Sequence, residues 1–254
     1  MPDRLPPQLR ALGPALLRAL PQTLLQTLLP ATCALCGAGC AGVLCAPCRL
    51  QYLGRGAARC PQCANPLADG DTGCCGRCLS HPPAFDATLV AADYAAPVDQ
   101  LLLQLKFGGR LALAPLFAQL LRDALLERPD FALPALLCPV PLGPRRLAER
   151  GFNQALEIAR PLARALGIAL HPQLAARAHD TRAQSSVAPH ERGRNLERAF
   201  VVTPDAAPLL HGRHIGIVDD VITSGRTLDE LAATFKRYGA ARVSNLVFAR
   251  TPPR

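Results

Sequence analysis

The stretch GIVDDVITSGRTL, residues 216–228, places an acid pair beside a potential anion site. A largely apolar run leads into Asp219 and Asp220, and a hydroxyl-rich turn around Gly225 follows directly. The hydroxyl residues of this turn are Thr223, Ser224 and Thr227. A turn of this kind at the start of a helix can surround a phosphate with hydroxyls and free backbone N–H groups. Because two carboxylates would repel a bare phosphate, a ligand with vicinal hydroxyls and a phosphate, such as ribose 5-phosphate, would use both halves.

Cysteines give the strongest compositional signal in the chain, since ten of the eleven fall between residues 33 and 78. Eight of them form four C-x-x-C pairs: Cys33 and Cys36, Cys45 and Cys48, Cys60 and Cys63, Cys75 and Cys78. Each pair can point two thiolates at one metal ion, and two pairs complete a tetrahedral zinc site of the ribbon type. The spacing therefore predicts two structural zinc ions, because four thiolates leave no open position for catalysis.

Three cysteines lie outside the four pairs, and the pairs themselves have an alternative interpretation. Cys40 and Cys74 lie inside the cysteine-rich segment, where either could replace a neighbour as a ligand, whereas Cys138 sits in an apolar run and is expected to be a core thiol. A disulfide-stapled secreted module is the alternative to zinc, but no export signal supports an oxidising compartment. We therefore expect a cytoplasmic protein.

Composition limits the classes of function. The chain has 254 residues and a formal net charge of +9, which would attract phosphates and nucleic acids. Only Lys106 and Lys236 of the basic residues are lysines. The codon bias of a GC-rich genome also favours arginine over lysine, so the number of arginines does not by itself indicate a function. Aromatic residues make up 4% of the chain, too few for a broad base-stacking surface. No apolar run reaches the ~18 residues of a membrane span, and residues 1–30 are expected to form a short helical segment.

Strands alternate with helices after the proline-rich junction at residues 80–85. Predicted strands cover residues 87–94, 135–141, 214–221 and 241–250, and predicted helices cover 98–107, 111–128, 151–167 and 227–240. This order implies βαβ crossovers and a mainly parallel sheet flanked by helices. Ligands in such sheets bind at the carboxyl ends of the strands, where Asp219 and Asp220 emerge.

Residues 216–228 closely resemble the phosphoribosyl pyrophosphate (PRPP) motif of type I phosphoribosyltransferases. Four further features narrow the resemblance to the ComF family over roughly residues 31–250. They are the four C-x-x-C pairs, LKFGGR at 105–110, PVPLGPRRLAERGFNQ at 139–154, and a segment with Thr181, Gln184, Arg192 and Asn195. Gly143, where the family often has histidine, and Pro161, inside a predicted helix, are departures from the pattern.

The resemblance implies a division into three parts and a role for each candidate residue. Residues 1–30 would be the helical segment, 31–80 a double zinc ribbon, and 85–254 a phosphoribosyltransferase-like domain. Asp219 and Asp220 would hold the ribose hydroxyls. Residues Thr223, Ser224, Gly225, Arg226 and Thr227 would bind the 5-phosphate, and Arg145, Arg146 and Arg150 the pyrophosphate. Mg²⁺ would bridge oxygens of PRPP, and residues 181–195 would close over it.

ComF-like proteins are associated with DNA uptake in natural competence, so the resemblance implies a link to that process. Three functions remain open at this stage: transfer of a phosphoribosyl group to an unknown acceptor, binding of PRPP or a nucleotide for sensing, and a non-catalytic role binding single-stranded DNA or an uptake partner. An alternative for the acid pair is the capping of a helix that follows a strand, and an alternative for the arginines at 145–150 is a solvated basic loop.

Overall fold

The computed structural model describes residues 31–53, 58–68, 70–71, 73–177 and 199–252. The predicted helical segment 1–30 and the predicted closing segment 181–195 lie outside the described residues. The chain divides into two compact units, and the division falls between Gln51 and Tyr52. The predicted domain boundaries at residues 30, 80 and 85 stay predictions.

The described part of the smaller unit is built around the first two C-x-x-C pairs. Strands β1 (Ala31–Thr32) and β2 (Gly39–Cys40) form an antiparallel pair, and helix α1 (Ala46–Leu53) begins next to the second pair of cysteines. The backbone N–H of Cys33 donates to the oxygen of Ala38 at 2.8 Å, which closes the turn between the two strands. The fold here is short, and only Cys33 and Cys48 are buried among its described residues.

A five-stranded sheet organises the larger unit, with strand order β3-β9-β8-β4-β5 and every neighbouring pair parallel. Its strands are β3 (Ala87–Asp93), β4 (Leu136–Pro139), β5 (Ala169–Leu170), β8 (His214–Ile222) and β9 (Arg242–Arg250). A small antiparallel pair, β6 (Ala175–Arg177) with β7 (Phe200–Val202), stands apart from it. The predicted α/β fold with a mainly parallel sheet is confirmed.

Helices cover the sheet as the alternating pattern predicted. They are α2 (Gly76–Ser80), α3 (Val98–Lys106), α4 (Leu113–Leu126), α5 (Pro144–Arg150), α6 (Gln154–Leu166), α7 (Ala207–Leu210), which follows a 3-10 turn at Pro204–Ala206, and α8 (Arg226–Arg237). Helices α4 and α6 pack against each other and against the sheet, and α8 packs against β8 and β9. Pro161 lies inside α6, and the amphipathic face of that helix still buries Ile158 and Leu162.

The central strand β8 is apolar because both of its faces are covered. Its residues Ile215, Ile217 and Val218 are fully buried. Gly216 has no room for a side chain, since a Cβ there would lie 2.6 Å from atoms of both Leu137 and Pro134. The glycine therefore lets β4 and the chain before it approach β8 closely, which brings the carboxyl ends of the two strands together.

None of the described helices is long and apolar enough to cross a bilayer.

Candidate functional site

The acid pair lies at the carboxyl end of β8, within the strand itself. Strand alternation gives the two carboxylates different surroundings: Asp219 is half-buried, and Asp220 is only 4% exposed. Asp219 Oδ1 accepts a hydrogen bond from the backbone N–H of Asp220 at 2.9 Å. Burial raises the pKa of Asp219 well above its usual range, the charge of Asp220 raises it further, and Lys106 acts in the opposite direction. The site thus holds one carboxyl that resists ionisation beside a second, deeper one.

Lys106 is the cation that faces the acid pair. It ends α3, and its ammonium Nζ lies 2.5 Å from Asp220 Oδ2. Both side chains are well covered, with 19% of Lys106 and 5% of Asp220 exposed. Asp220 Oδ2 has no other hydrogen-bond partner in the described part of the chain. One ammonium therefore compensates a pair of carboxylates, and the site retains an excess of negative charge when both are ionised.

The phosphate loop, residues 223–225, connects β8 to α8. Gly225 has a φ of +80°, in the left-handed region that suits glycine, and it precedes the first residue of α8. Ser224 Oγ accepts from the backbone N–H of Arg226 at 3.5 Å, a long contact that leaves most of the helix end open. The first N–H groups of a helix have no partner within it and favour an anion. The loop is exposed at Thr223 and Ser224, so a ligand can reach these donors.

The predicted pyrophosphate arginines lie on the neighbouring strand connection. Strand β4 pairs with β8 up to Pro139 and Val218, so the residues that follow β4 lie at the same edge of the sheet as the acid pair. Helix α5 begins there with Pro144 in its first turn and has no buried residue.

Within α5, Arg145 pairs with Glu149 at 2.8 Å and Arg146 is exposed. The Arg150 guanidinium lies 5.3 Å from the ring centre of Phe107, the residue after Lys106. This contact brings the basic helix α5 next to the end of α3 that carries the counter-ion of the acid pair.

A second group of side chains holds the phosphate loop from its other side. Arg250 lies at the end of β9, and its Nη1 donates a hydrogen bond to the backbone oxygen of Thr223 at 2.7 Å. Its Nε donates a second hydrogen bond to Asn65 Oδ1 at 2.9 Å. Its Nη2 also donates to Asn65 Oδ1. Arg77 Nη2 donates to the Ser224 oxygen at 3.0 Å. Two arginines therefore fix the two carbonyls of the loop that precede the start of α8.

Both predicted zinc sites are assembled from the cysteines that the spacing indicated. One group contains Cys33, Cys36, Cys45 and Cys48, and the other Cys60, Cys63, Cys75 and Cys78; within each group all sulfur atoms lie within 4.8 Å of one another. A tetrahedral ion with Zn–S bonds of about 2.3 Å requires sulfur atoms about 3.8 Å apart. The Sγ atoms of Cys36 and Cys45 are 3.7 Å apart, and those of Cys63 and Cys75 are 3.6 Å apart. The donor set and its spacing fit Zn²⁺ in both groups.

Backbone N–H groups favour the thiolate form of Cys60, one member of the second group. Burial opposes ionisation of the Cys60 thiol, but N–H groups of Cys63 and Cys75 outweigh it and lower the pKa to about 7. One of these bonds runs from the Cys75 N–H to Cys60 Sγ at 3.4 Å. Since a zinc ligand must be a thiolate, hydrogen bonds that favour the thiolate also favour the metal.

The three remaining cysteines take no part in either group. Cys40 Sγ donates to the oxygen of Gly42 at 2.9 Å, and Cys74 lies outside the second group. The four C-x-x-C pairs therefore supply all eight ligands, and neither alternative ligand replaces one of them. Cys138 is fully buried in β4, where burial raises its pKa to about 12, as expected of a core thiol.

Comparisons with known proteins agree with this architecture. The family described as "Double zinc ribbon domain" matches residues 24–79, and "Phosphoribosyl transferase domain" matches residues 153–253. "DNA utilization protein YhgH" of Salmonella typhimurium is 38% identical over 195 residues, which cover 76% of this chain and 84% of that protein. "Competence protein F" of Haemophilus influenzae is 31% identical over 182 residues, covering 69% and 78%.

The chain belongs to the ComF family. The predicted resemblance is thereby confirmed, together with the combination of a double zinc ribbon and a phosphoribosyltransferase-like domain. The roles assigned above to individual residues of the ComF phosphate loop, acid pair and basic helix stay predictions.

Four residues of this ComF-family site were not found by sequence reasoning. They are Lys106, Asn65, Arg77 and Arg250. A signal existed for two of them, because Lys106 is one of two lysines in the chain and Arg250 directly follows the apolar run Leu246–Ala249. Arg77 lies inside a C-x-x-C turn, and Asn65 lies just after another one. These positions indicate a metal site and give no sign of a contact with the phosphate loop.

Proposed function

We propose that the chain binds PRPP or a nucleotide that contains ribose 5-phosphate, in a pocket formed by the acid pair and the phosphate loop, and that this binding serves the handling of DNA. The observation that carries the proposal is the position of Asp219 and Asp220 at the end of β8, directly before a helix-opening turn with Gly225 at φ +80°. Hydroxyl acceptors and phosphate donors thus follow each other along one short path, as they do along ribose 5-phosphate.

Each part of the site has a distinct task in this proposal. Asp219 and Asp220 accept hydrogen bonds from the ribose hydroxyls, and Thr227 with the N–H groups at the start of α8 donates to the 5-phosphate. Arg145, Arg146 and Arg150 offer positive charge to the pyrophosphate from the adjacent strand connection. Lys106 holds the deeper carboxylate in place through its ion pair until the ligand arrives.

A divalent cation belongs to the proposed ligand rather than to the protein. Mg²⁺ usually keeps several waters and binds through one or two carboxylates together with substrate phosphates. The excess negative charge of the acid pair over Lys106 suits such a cation-bearing ligand better than free phosphate. In a transfer reaction, an acceptor atom would form a bond to ribose C1 while the bond from C1 to pyrophosphate oxygen breaks.

Calorimetric titration with PRPP and Mg²⁺, and separately with inorganic phosphate, tests the division of tasks. Asp219→Asn with Asp220→Asn should weaken PRPP binding about tenfold to more than a hundredfold, because hydrogen bonds to charged groups are worth about 1.5–3 kcal/mol each. The same variant should bind phosphate as well as the wild type or slightly better, since a repulsive charge is removed. Thr227→Val should weaken both ligands.

A matched control is Asp71→Asn with Asp205→Asn, which removes the same charge from two exposed positions and should leave both affinities unchanged. If the Asp219 and Asp220 variant binds PRPP as the wild type does, the carboxylates are not ribose ligands and the pocket assignment is wrong. Release of pyrophosphate in the presence of candidate acceptors would distinguish a transferase from a sensor.

Single-stranded DNA is the second proposed partner, together with proteins of DNA uptake, in the cytoplasm where thiolate zinc sites persist. The support is the formal charge of +9, the exposed arginines of α5, and relatives named for DNA utilization and competence. With few aromatic residues, the protein should neutralise phosphates and read bases poorly. Affinity for oligonucleotides, measured by fluorescence anisotropy, should fall steeply with salt and vary little with sequence; binding that ignores salt would contradict this.

A further inference from the structure

Arg250 is a buried cation, and its hydrogen-bond partners among the described residues are all neutral. It is 3% exposed, and it donates to the Asn65 side-chain oxygen and to the Thr223 carbonyl. Burying a charge is costly unless opposite charge lies nearby. Cys63 and Cys78 of the second four-cysteine group line the same pocket as Arg250. A metal bound by these cysteines as thiolates would therefore place negative charge beside this guanidinium.

A metal-loaded second group supplies that charge in fixed form. Four thiolates around one Zn²⁺ carry two net negative charges, and protonated thiols carry none. Two arginines lie beside this group: Arg77 stands between Cys75 and Cys78 in the sequence, and Arg250 lines the same pocket as Arg77. Two neighbouring cations repel each other unless a stronger negative charge holds both. The tetrathiolate site meets that need.

The same two arginines determine where the N–H groups of the phosphate loop point. In a trans peptide the C=O and the following N–H point in opposite directions. Because Arg250 holds the oxygen of Thr223 and Arg77 holds the oxygen of Ser224, the N–H groups of Ser224 and Gly225 face away from the ribbon. Neither N–H has a hydrogen-bond partner among the described residues. The ribbon thus orients two donors toward the side on which an anion would bind.

The ribbon is also packed into the core beneath the loop. Cys60, Cys63 and Cys78 belong to one cluster of buried residues with Phe85 and Ile222, the residue before the phosphate loop. A Cβ at Gly225 would come within 3.8 Å of the Phe85 ring, so the loop rests on the same cluster. If the cysteine ligands moved when a metal was lost, this movement would therefore be transmitted to the loop through the shared packing as well as through the two arginines.

We propose that Arg250 and Arg77 couple the second four-cysteine site to the phosphate loop, so that metal binding at this site and anion binding at the loop strengthen each other. The identity of the anion as PRPP rests on the proposed function, but the coupling does not. Coupling between two binding sites is reciprocal, so the factor by which zinc improves anion affinity equals the factor by which the anion improves zinc affinity.

Hydrogen–deuterium exchange of the loop tests the coupling without any ligand. In the zinc-loaded full chain, amides of residues 223–227 should exchange about tenfold faster in Arg77→Ala and in Arg250→Met than in the wild type. Arg59→Met is the matched control, because Arg59 flanks Cys60 and pairs with Asp93 at 2.9 Å rather than with the loop. Arg77 is exposed, so its variant keeps the test valid if Arg250→Met fails to fold.

Zinc release to a chromogenic chelator tests reciprocity. In a Cys36→Ser background, which leaves the second group as the intact site, PRPP with Mg²⁺ or inorganic phosphate should slow zinc release several-fold. Arg77→Ala and Arg250→Met should abolish this slowing and should weaken both anions about tenfold, whereas Arg59→Met should keep the wild-type behaviour.

The outcomes separate the two proposals. If loop exchange and zinc release are the same in the Arg77 and Arg250 variants as in the wild type, the coupling is wrong, and wild-type PRPP affinity can still uphold the proposed function. If the wild type binds phosphate but not PRPP, the proposed function is wrong, and faster loop exchange in both arginine variants still upholds the coupling.

Discussion

Two groups of charged residues adjoin the phosphate loop, and their charges are balanced in different ways. On the acid side, Asp219 and Asp220 face a single ammonium from Lys106, and the pKa of Asp219 is raised because its charge is poorly accommodated. On the ribbon side, Arg250 and Arg77 donate hydrogen bonds to the backbone oxygens of the loop and line the same pocket as two cysteines of the second group.

Under the proposed function, the acid pair is kept for a ligand and the two arginines are kept for the fold. Charge that remains uncompensated in a folded protein lowers its stability and is retained where a ligand supplies the missing partner. Charge that is hydrogen-bonded and balanced by opposite charge costs the folded protein less stability, and on the ribbon side its hydrogen bonds hold the loop in place. Substitution of either carboxylate should therefore cost binding more than stability, substitution of their counter-ion Lys106 should cost stability, and substitutions on the ribbon side should cost both.

Loss of the second zinc should have the largest effect. Cys63→Ser removes a buried ligand from a site that is part of the core, and structural zinc contributes folding free energy of about 10 kcal/mol or more. The main thermal transition should fall by more than about 10 °C, and zinc content should fall from two ions per chain to one. Cys36→Ser, in the more exposed first group, should lose one zinc with a small change in that transition. Equal shifts for both variants would remove the distinction between the two ribbons.

Lys106→Met should be the most damaging change on the acid side for stability. It leaves the Asp220 carboxylate buried without its ammonium, and breaking a buried ion pair from one side costs about 3–5 kcal/mol. Urea denaturation at neutral pH measures this loss. Adding Asp220→Asn should recover most of it, because no buried charge then remains, and Lys106→Arg should lose less. If Lys106→Met were as stable as the wild type, the ion pair would make no net contribution to the free energy of unfolding.

Asn65→Ala should have a moderate effect on the ribbon side. Its side-chain oxygen accepts from both Nε and Nη2 of Arg250, so removal leaves buried donors unpaired at a cost of about 1–3 kcal/mol. Anion affinity at the phosphate loop should fall with it, since Arg250 loses its anchor. Gln62→Ala, which removes a bond from the same turn to the Phe85 oxygen, is the control and should leave anion affinity unchanged.

Asp219→Asn should have the smallest effect on stability, with the opposite sign. A carboxyl whose pKa is raised on folding binds its proton more tightly in the folded state, so stability falls as pH rises from the ordinary value of 3.8 through the folded pKa. The variant should therefore equal the wild type in acid and be slightly more stable at neutral pH. Denaturation midpoints across this range, with Asp205→Asn as an exposed control, measure it; a less stable variant at neutral pH would show that Asp219 supports the fold.

Sequence reasoning was most successful where the relevant contacts are local. The extents of β3, α3, β8 and β9 followed from periodicity to within a residue or two, because the burial of each strand or helix is written in its own side chains. The basic segment after β4 was expected to be a loop or a pyrophosphate site, and it is a short helix. Because this helix has no buried residue, its sequence carries no hydrophobic periodicity that could have predicted it. The short strands β5, β6 and β7 were missed, because two or three residues carry no detectable period.

What the sequence determined by itself is the set of metal-binding cysteines and the local order of the acid-pair segment. The C-x-x-C spacing specifies metal ligands because two residues between cysteines form a turn that aims both sulfurs at one point, and the structure confirms both groups. The order of strand, acid pair and glycine-containing turn likewise specified where β8 ends and α8 begins.

Only the tertiary structure decided which of these parts contact one another. Arg250 and Asn65 are 185 positions apart, and Arg77 is 147 positions from Ser224. Their hydrogen bonds depend on how the ribbon packs against the end of the sheet, and Lys106 reaches Asp220 only because α3 ends beside β8. No local period or spacing records such contacts, because the free energy that selects them comes from burying the whole cluster at once.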